Sequence, residues 1–135
     1  MGLSEYTILI VEDSDAVRQV AYRILSRRGY QVLEAADAGE ALEVLATSPT
    51  QVDLVLMDVV LPEIDGVALY ADICARRPNL PIVFMSAYPA EILAARGQPD
   101  LTAPFLAKPF TPESLLSKVR SAIEARRTAR SELNR

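Results

Sequence analysis

The sequence has no histidine and a single cysteine, and both shortages exclude whole classes of chemistry. Without an imidazole, the 135-residue chain has no histidine nucleophile, general base or metal ligand. Any metal that it binds must be held by oxygen, which is the preference of hard cations such as Mg²⁺. Cys74 has no second cysteine with which to form an intramolecular disulfide, and this fits a reducing compartment. We therefore expect a cytoplasmic protein.

Neither a charge excess nor a long apolar run points to nucleic acid or membrane. The net charge is −4, so no general attraction to nucleic acid or to an anionic membrane is expected. No apolar segment approaches the roughly 20 residues of a membrane-spanning helix, and no signal peptide is recognised. Half of the residues are hydrophobic and 24% are charged, which is typical of one globular domain. We place this domain at residues 5–127 and interpret residues 128–135 as a C-terminal tail or the start of a linker.

Strand-like runs alternate with helical patterns five times along the chain. The predicted strands, in order, are residues 7–11, 31–35, 53–58, 81–86 and 103–107. The fourth predicted helix, 90–96, is the weakest, because flanking prolines and a glycine confine it to about two turns. The alternation predicts an α/β fold with right-handed βαβ units and a parallel sheet that has helices on both faces. It leaves the strand order open, but both common doubly wound orders place ligands at the carboxyl ends of the strands.

Asp58 is the residue on which the functional interpretation is built. It follows the apolar run 54–57, which is typical of a strand buried on both faces of a parallel sheet. Alone, such an aspartate could simply hydrogen-bond the turn expected at residues 62–66. Other polar residues also end predicted strands, however, and these are Glu12, Asp13, Ser86 and Lys108.

In a parallel sheet these five side chains would meet at one edge, where their chemistry is complementary. Two carboxylates about 4 Å apart repel each other by roughly 1–4 kcal/mol, so a group of three needs a cation. Mg²⁺ accepts a few carboxylate oxygens while it keeps waters and substrate phosphate. A lysine binds phosphate as a point charge, and a serine offers a hydroxyl donor. A carboxylate in this setting is suited to attack phosphorus and form an acyl phosphate.

Four motifs in order resemble the response-regulator receiver domain of two-component signalling, over about residues 6–125. They are Ile-Leu-Ile-Val-Glu-Asp (8–13), Leu-Met-Asp-Val-Val-Leu-Pro (56–62) with Asp65-Gly66, Met85-Ser86-Ala87, and Lys108-Pro109-Phe110. Each motif is weak alone, but all four at the family's spacings are specific. The resemblance implies a flavodoxin-like fold, with a doubly wound five-stranded parallel sheet in the order 2-1-3-4-5. The sequence around Asp58 and around residues 85–88 is most similar to that of receivers joined to hybrid sensor histidine kinases.

The resemblance also implies which residues would serve the metal and the phosphoryl group. Asp58 would be the phosphoacceptor, and Glu12 and Asp13 the acidic pair for Mg²⁺ or Mn²⁺. Asp13, Asp58 and the backbone carbonyl of Val60 would be the direct protein ligands. Glu12 departs from the family pattern, in which aspartate is commoner, and its longer side chain suggests contact with the metal through water.

Three further residues would respond to phosphorylation. Ser86 is expected to follow the phosphoryl group, Lys108 to contact it, and Phe105 to change rotamer on activation. The family pattern also implies a cis bond between Lys108 and Pro109. Activation would then alter the surface formed by the fourth helix, the fifth strand and the fifth helix.

The sequence therefore predicts a signalling domain that takes a phosphoryl group from a partner phosphohistidine onto Asp58. Such a domain would catalyse only its own Mg²⁺-dependent phosphorylation and dephosphorylation. The expected donor is a histidine kinase or a histidine phosphotransfer domain, because the chain has no histidine of its own. A homodimer through the responding surface is a candidate assembly, and no direct contact with nucleic acid or membrane is expected.

Three alternatives belong to other classes. A Mg²⁺-dependent phosphatase typically has a second aspartate two residues after its nucleophile, where Val60 stands. A flavin-binding protein of the same fold would need a phosphate cradle after the first strand, where the acidic turn 12–15 would repel phosphate. A receiver-like binding module that acts without phosphorylation is the serious competitor, although such modules usually lack an acid, the acceptor or the lysine.

Overall fold

The computed structural model describes residues 6–48, 51–61, 66–87 and 104–133, and these form a five-stranded parallel sheet with helices. The strands are β1 (Thr7–Val11), β2 (Gln31–Ala35), β3 (Leu54–Asp58), β4 (Ile82–Ser86) and β5 (Phe105–Ala107). Their order across the sheet is β2-β1-β3-β4-β5, and every neighbouring pair is parallel. The predicted fold class and strand order are confirmed.

Helices cover both faces of the sheet. They are α1 (Asp15–Arg27), α2 (Ala38–Thr47), α3 (Gly66–Arg76) and a C-terminal helix (Pro112–Leu133). The buried residues of α2 and α3 belong to one apolar cluster, and those of α1 and the C-terminal helix belong to another on the opposite face. Every residue of β1, β3 and β4 is buried, because these central strands contact both clusters. This is why their sequences are continuous apolar runs rather than alternating patterns.

Two predicted elements cannot be fully compared with the structure. Residues 62–65 of the turn predicted at 62–66, and the whole fourth helix predicted at 90–96, lie outside the described residues. The C-terminal helix continues to Leu133 and so extends into residues 128–135. The interpretation of those residues as a tail or the start of a linker stays a prediction. Among the described helices, none combines the length and the hydropathy needed to cross a membrane.

Helix α1, which follows β1, is bounded by residues suited to its two ends. At the start, the hydroxyl of Ser14 accepts the N–H of Val17 at 3.3 Å, which is a standard N-cap. At the other end, Gly29 has a φ of 105°. The N–H of Gly29 donates to a carbonyl of the last turn at 3.0 Å, and that of Tyr30 donates to the carbonyl of Leu25 at 3.2 Å. This is the Schellman arrangement, in which glycine is favoured because φ is positive.

The amino-terminal ends of β1 and β3 are joined by a polar side chain. Asp53 precedes β3, and its Oδ2 accepts the N–H of Thr7 at 2.8 Å. The N–H of Asp53 in turn donates to the carbonyl of Thr7 at 2.8 Å. From the C-terminal helix, Arg126 Nη1 donates to the carbonyl of Asp53 at 3.2 Å. The C-terminal helix is therefore attached to the start of the strand that ends in Asp58.

We predict that Gly29→Ala lowers the free energy of unfolding by about 1–2 kcal/mol, because alanine is disfavoured at positive φ. Gly39→Ala is the matched control, since Gly39 lies within α2 and an added Cβ would meet only Asp37 Oδ1, at 3.4 Å. There alanine should stabilise the protein by up to about 1 kcal/mol. Urea unfolding would measure both. A loss of the same size in both variants would contradict the role of the Gly29 backbone.

Candidate functional site

The polar residues predicted to converge do follow the carboxyl ends of adjacent strands. Glu12 comes directly after β1, Asp58 and Ser86 end β3 and β4, and Lys108 follows β5. The backbone hydrogen bonds between neighbouring strands continue up to these residues. The N–H of Glu12 donates to the carbonyl of Ala35 at 3.0 Å, and that of Lys108 donates to the carbonyl of Ser86 at 2.8 Å. The backbone at the site is therefore held by the sheet itself.

Lys108 connects the carboxylates of two other strands. Its Nζ donates to Asp58 Oδ2 at 2.6 Å and also donates to Glu12 Oε1. Both acids are buried, with Glu12 1% and Asp58 7% exposed. Their remaining oxygens accept backbone N–H groups, from Ser14 to Glu12 Oε2 at 3.2 Å and from Val60 to Asp58 Oδ1 at 2.9 Å.

Burial and charge pairing oppose each other in this group. Burial raises the pKa of Glu12 above its ordinary value, although the hydrogen bonds from Lys108 and from the backbone of Ser14 act in the opposite direction. Burial alone would lower the pKa of Lys108, but its hydrogen bonds to Asp58 and Glu12 raise it above its ordinary value. The lysine is therefore a permanent cation at neutral pH and the counter-charge of the site.

A third carboxylate completes an oxygen cluster. Carboxylate oxygens of Glu12, Asp13 and Asp58 all lie within 4.8 Å of one another, and Asp13 is exposed to solvent. One lysine cannot neutralise three acids at such distances. The donor set therefore fits a hard divalent cation, which would bind carboxylate oxygens and retain water on the exposed side. Val60 lies beside this cluster through its N–H bond to Asp58.

Ser86 and Phe105 occupy different surroundings from the acids. Ser86 is 1% exposed at the end of β4, next to the strand that carries Asp58. Phe105 is half-buried on β5 at the edge of the sheet, packed against the apolar cluster of α2 and α3. The peptide bond between Lys108 and Pro109 is cis, as the resemblance implied.

Two features of the site were not found from the sequence. Arg18 of α1 donates from Nη1 to the carbonyl of Glu12 at 2.7 Å. An apolar groove also runs beside Lys108, and its lining includes Val17, Val20, Pro109 and Phe110. An arginine and a valine on an amphipathic helix give no signal of such roles, because the same pattern describes any helix with one solvated face.

The fold and site together define a doubly wound domain whose carboxyl edge carries an acidic cluster and a lysine. A model of the response regulator receiver domain family matches residues 8–120. Structures of receiver domains share the fold, with TM-scores of 0.77 and 0.80 for two of them. This chain belongs to the response regulator receiver domain family of two-component systems.

Individual relatives come from several kinds of signalling protein. The sensor kinase CckA of Brucella abortus (strain 2308) is 40% identical over 118 residues, which are 87% of this chain and 12% of that protein. The crystal structure of the receiver domain of a hybrid histidine kinase CckA is 38% identical, with a TM-score of 0.72, and the match covers 87% of this chain and 98% of that chain. A receiver domain of an HD domain-containing protein from Pseudomonas fluorescens Pf-5 is 30% identical, with a TM-score of 0.80, covering 91% and 98%. The chain spans about half or less of the length of the curated relatives it matches.

We predict that Lys108→Met lowers the free energy of unfolding by roughly 2–3 kcal/mol, because it leaves Glu12 buried without its counter-charge. Mg²⁺ should raise the melting temperature of this variant more than that of the unaltered protein, because the cation replaces the missing charge. Thermal unfolding with and without Mg²⁺ measures both effects.

Lys118→Met is the matched control, since Lys118 is exposed on the C-terminal helix. It should melt like the unaltered protein under both conditions. An equal response of all three proteins to Mg²⁺ would show that Lys108 does not share its partners with a cation.

Proposed function

We propose that this chain is a phosphoacceptor, in which Asp58 takes a phosphoryl group from a phosphohistidine of a histidine kinase or histidine phosphotransfer domain, with Mg²⁺ or Mn²⁺ bound. The observation that supports this most strongly is the environment of Asp58. It is a buried carboxylate at the end of a central strand, 2.6 Å from a lysine ammonium and within 4.8 Å of two further acids. A carboxylate that only capped a turn would not require either neighbour.

In this proposal Asp58 is the nucleophile. A carboxylate oxygen forms a bond to phosphorus as the bond from phosphorus to the donor's imidazole nitrogen breaks. The N–H of Val60, at 2.9 Å from Oδ1, holds the carboxylate in a fixed orientation for attack. Lys108 and Ser86 are the groups assigned to oxygens of the transferring phosphoryl group.

The cation would be held by Glu12, Asp13 and Asp58, together with the carbonyl of Val60. It would supply positive charge that offsets repulsion between these acids and the incoming phosphoryl oxygens. Glu12 keeps its carboxylate close to Lys108 in this arrangement, and Asp13 offers its oxygens from the solvent side.

Phosphorylation would redistribute the contacts of Lys108. A phosphoryl group adds close to two negative charges, which compete with Glu12 for the same ammonium. Lys108 follows β5 directly, and its N–H is bonded to the carbonyl of Ser86 at 2.8 Å. A change at Asp58 would therefore act on the ends of β4 and β5, with Ser86 and Phe105 as the responding side chains. The predicted fourth helix of that surface lies outside the described residues, and homodimerisation through the surface stays a prediction.

Two observations support a histidine kinase as the phosphoryl donor, one from the relatives and one from the apolar groove. CckA, which this chain resembles, is named a sensor kinase and a hybrid histidine kinase. We infer that this receiver also works with such a kinase. The apolar groove beside Lys108 offers a partner helix a surface adjacent to Asp58, and Val20 at its margin is 48% exposed.

We predict that incubation with acetyl phosphate and Mg²⁺ adds one phosphoryl mass to the protein and that Asp58→Asn abolishes this addition. Intact-mass spectrometry is the measurement. Asp72→Asn is the matched control, because Asp72 is exposed on α3. An unlabelled wild type, or equal labelling of Asp58→Asn, would instead favour a binding module that acts without phosphorylation.

We predict that Val20→Glu slows phosphotransfer from a phosphorylated histidine kinase core by tenfold or more, as expected for a charge placed in an apolar contact. It should leave the reaction with acetyl phosphate unchanged, because that donor needs no docking surface. Gln19→Glu adds the same charge at an exposed neighbouring position and is the control. Equal effects of the two variants on transfer would exclude the groove as the docking surface.

A further inference from the structure

Arg18 contacts groups in the loop after β1, in α1 and in β2. Its Nη1 donates to the carbonyl of Glu12 at 2.7 Å, after the end of β1. Its Nη2 is paired with Asp15 in the first turn of α1, and its Nε lies 3.5 Å from Glu34 Oε1 on β2. The side chain is only 16% exposed. An arginine with this many fixed contacts is not a solvated residue of an amphipathic helix.

The contact with Glu12 determines more than the position of one oxygen. That carbonyl belongs to the peptide unit that joins Glu12 to Asp13, and the unit is planar from one Cα to the next. Fixing its oxygen therefore fixes the direction in which the chain enters Asp13. Arg18 acts on Asp13 through the backbone and has no need to touch its carboxylate.

Glu12 has independent support, whereas Asp13 lies at the exposed side of the cluster. The N–H of Glu12 is bonded to Ala35 at 3.0 Å, and its two carboxylate oxygens accept from Ser14 and Lys108. Asp13 nevertheless keeps a carboxylate oxygen within 4.8 Å of those of Glu12 and Asp58. The direction of the backbone at Asp13 is therefore one determinant of where this carboxylate lies.

We propose that Arg18 is a positioning residue for the cation site, which orients the Glu12–Asp13 peptide so that the Asp13 carboxylate faces those of Glu12 and Asp58. The inference rests on the proposed function, because it concerns the same cation. It adds a residue that would bind neither the metal nor the phosphoryl group. Groups that orient metal ligands without contacting the metal typically change metal affinity by 10–100-fold when they are removed.

Charge and positioning predict opposite results for the loss of Arg18. If its positive charge were the only influence, Arg18→Met would strengthen Mg²⁺ binding, because a positive charge would be removed from the carbonyl of Glu12, next to the metal site. If Arg18 positions Asp13, the same variant binds Mg²⁺ more weakly. Arg18→Lys keeps the charge but replaces the guanidinium fork with a single ammonium. Charge alone predicts no change for the lysine variant, and positioning predicts a loss.

Calorimetric titration of each protein with MgCl₂ is the decisive experiment. We expect the dissociation constant to rise about tenfold for Arg18→Met and by a smaller factor for Arg18→Lys. Arg23→Met is the charge control, since Arg23 is an exposed arginine on the same helix. It should bind Mg²⁺ as the unaltered protein does. With acetyl phosphate, Arg18→Met should need more Mg²⁺ for half-maximal labelling yet approach the wild-type rate at saturating Mg²⁺.

The outcomes separate this inference from the function on which it rests. Wild-type or tighter Mg²⁺ binding by both Arg18 variants would overturn the positioning role alone. Weaker binding by Arg23→Met to the same extent would do so as well. A wild-type protein that neither binds Mg²⁺ nor becomes labelled at Asp58 would overturn the proposed function together with the inference. If Arg18→Met fails to fold, Arg18→Lys decides the question by itself.

Discussion

One ammonium group shared by two carboxylates is the interaction on which this site depends. Lys108 and Glu12 are 96 residues apart in the sequence, and they meet because parallel strands deliver their carboxyl ends to the same edge. Removing two carboxylates from water is unfavourable, and the lysine offsets that cost only while it contacts both. The site is therefore under electrostatic constraint before any ligand arrives. An anion or cation that binds at this site would therefore change the hydrogen bonds of Lys108 to Glu12 and Asp58.

The apolar core and the charged site occupy different parts of this fold. The two apolar clusters on the faces of the sheet hold the strands in place, and the central strands are buried along their whole length. The charged groups lie beyond the last apolar residues of β1, β3 and β5, where burial of like charges contributes no stability of its own. The hydrogen bonds of the sheet hold the strand ends together, and with them the acids, despite their mutual repulsion. This is the usual relation between a doubly wound sheet and the ligands at its carboxyl edge.

Much of the fold could be predicted from the sequence, because its elements leave local patterns. The central strands read as continuous apolar runs, and the polar residues that end them indicated Glu12, Asp58 and Lys108 as neighbours. The strand order came from the resemblance to receivers, since alternation alone fits two orders. The contact between Arg18 and the carbonyl of Glu12 could not be predicted, because it joins a side chain to a backbone group across a turn.

The strand that carries Asp58 is secured at both of its ends by the last part of the chain. At one end Lys108, just before the C-terminal helix, contacts Asp58, and at the other end Arg126 of that helix contacts Asp53. Residues 108–126 therefore contact both ends of β3. The matched family segment stops at residue 120, inside the helix and short of Arg126. A fragment trimmed to residues 8–120 would keep Glu12, Asp13, Asp58 and Lys108. It would lose the contacts that Thr7 and Arg126 make with Asp53, at the amino-terminal end of β3.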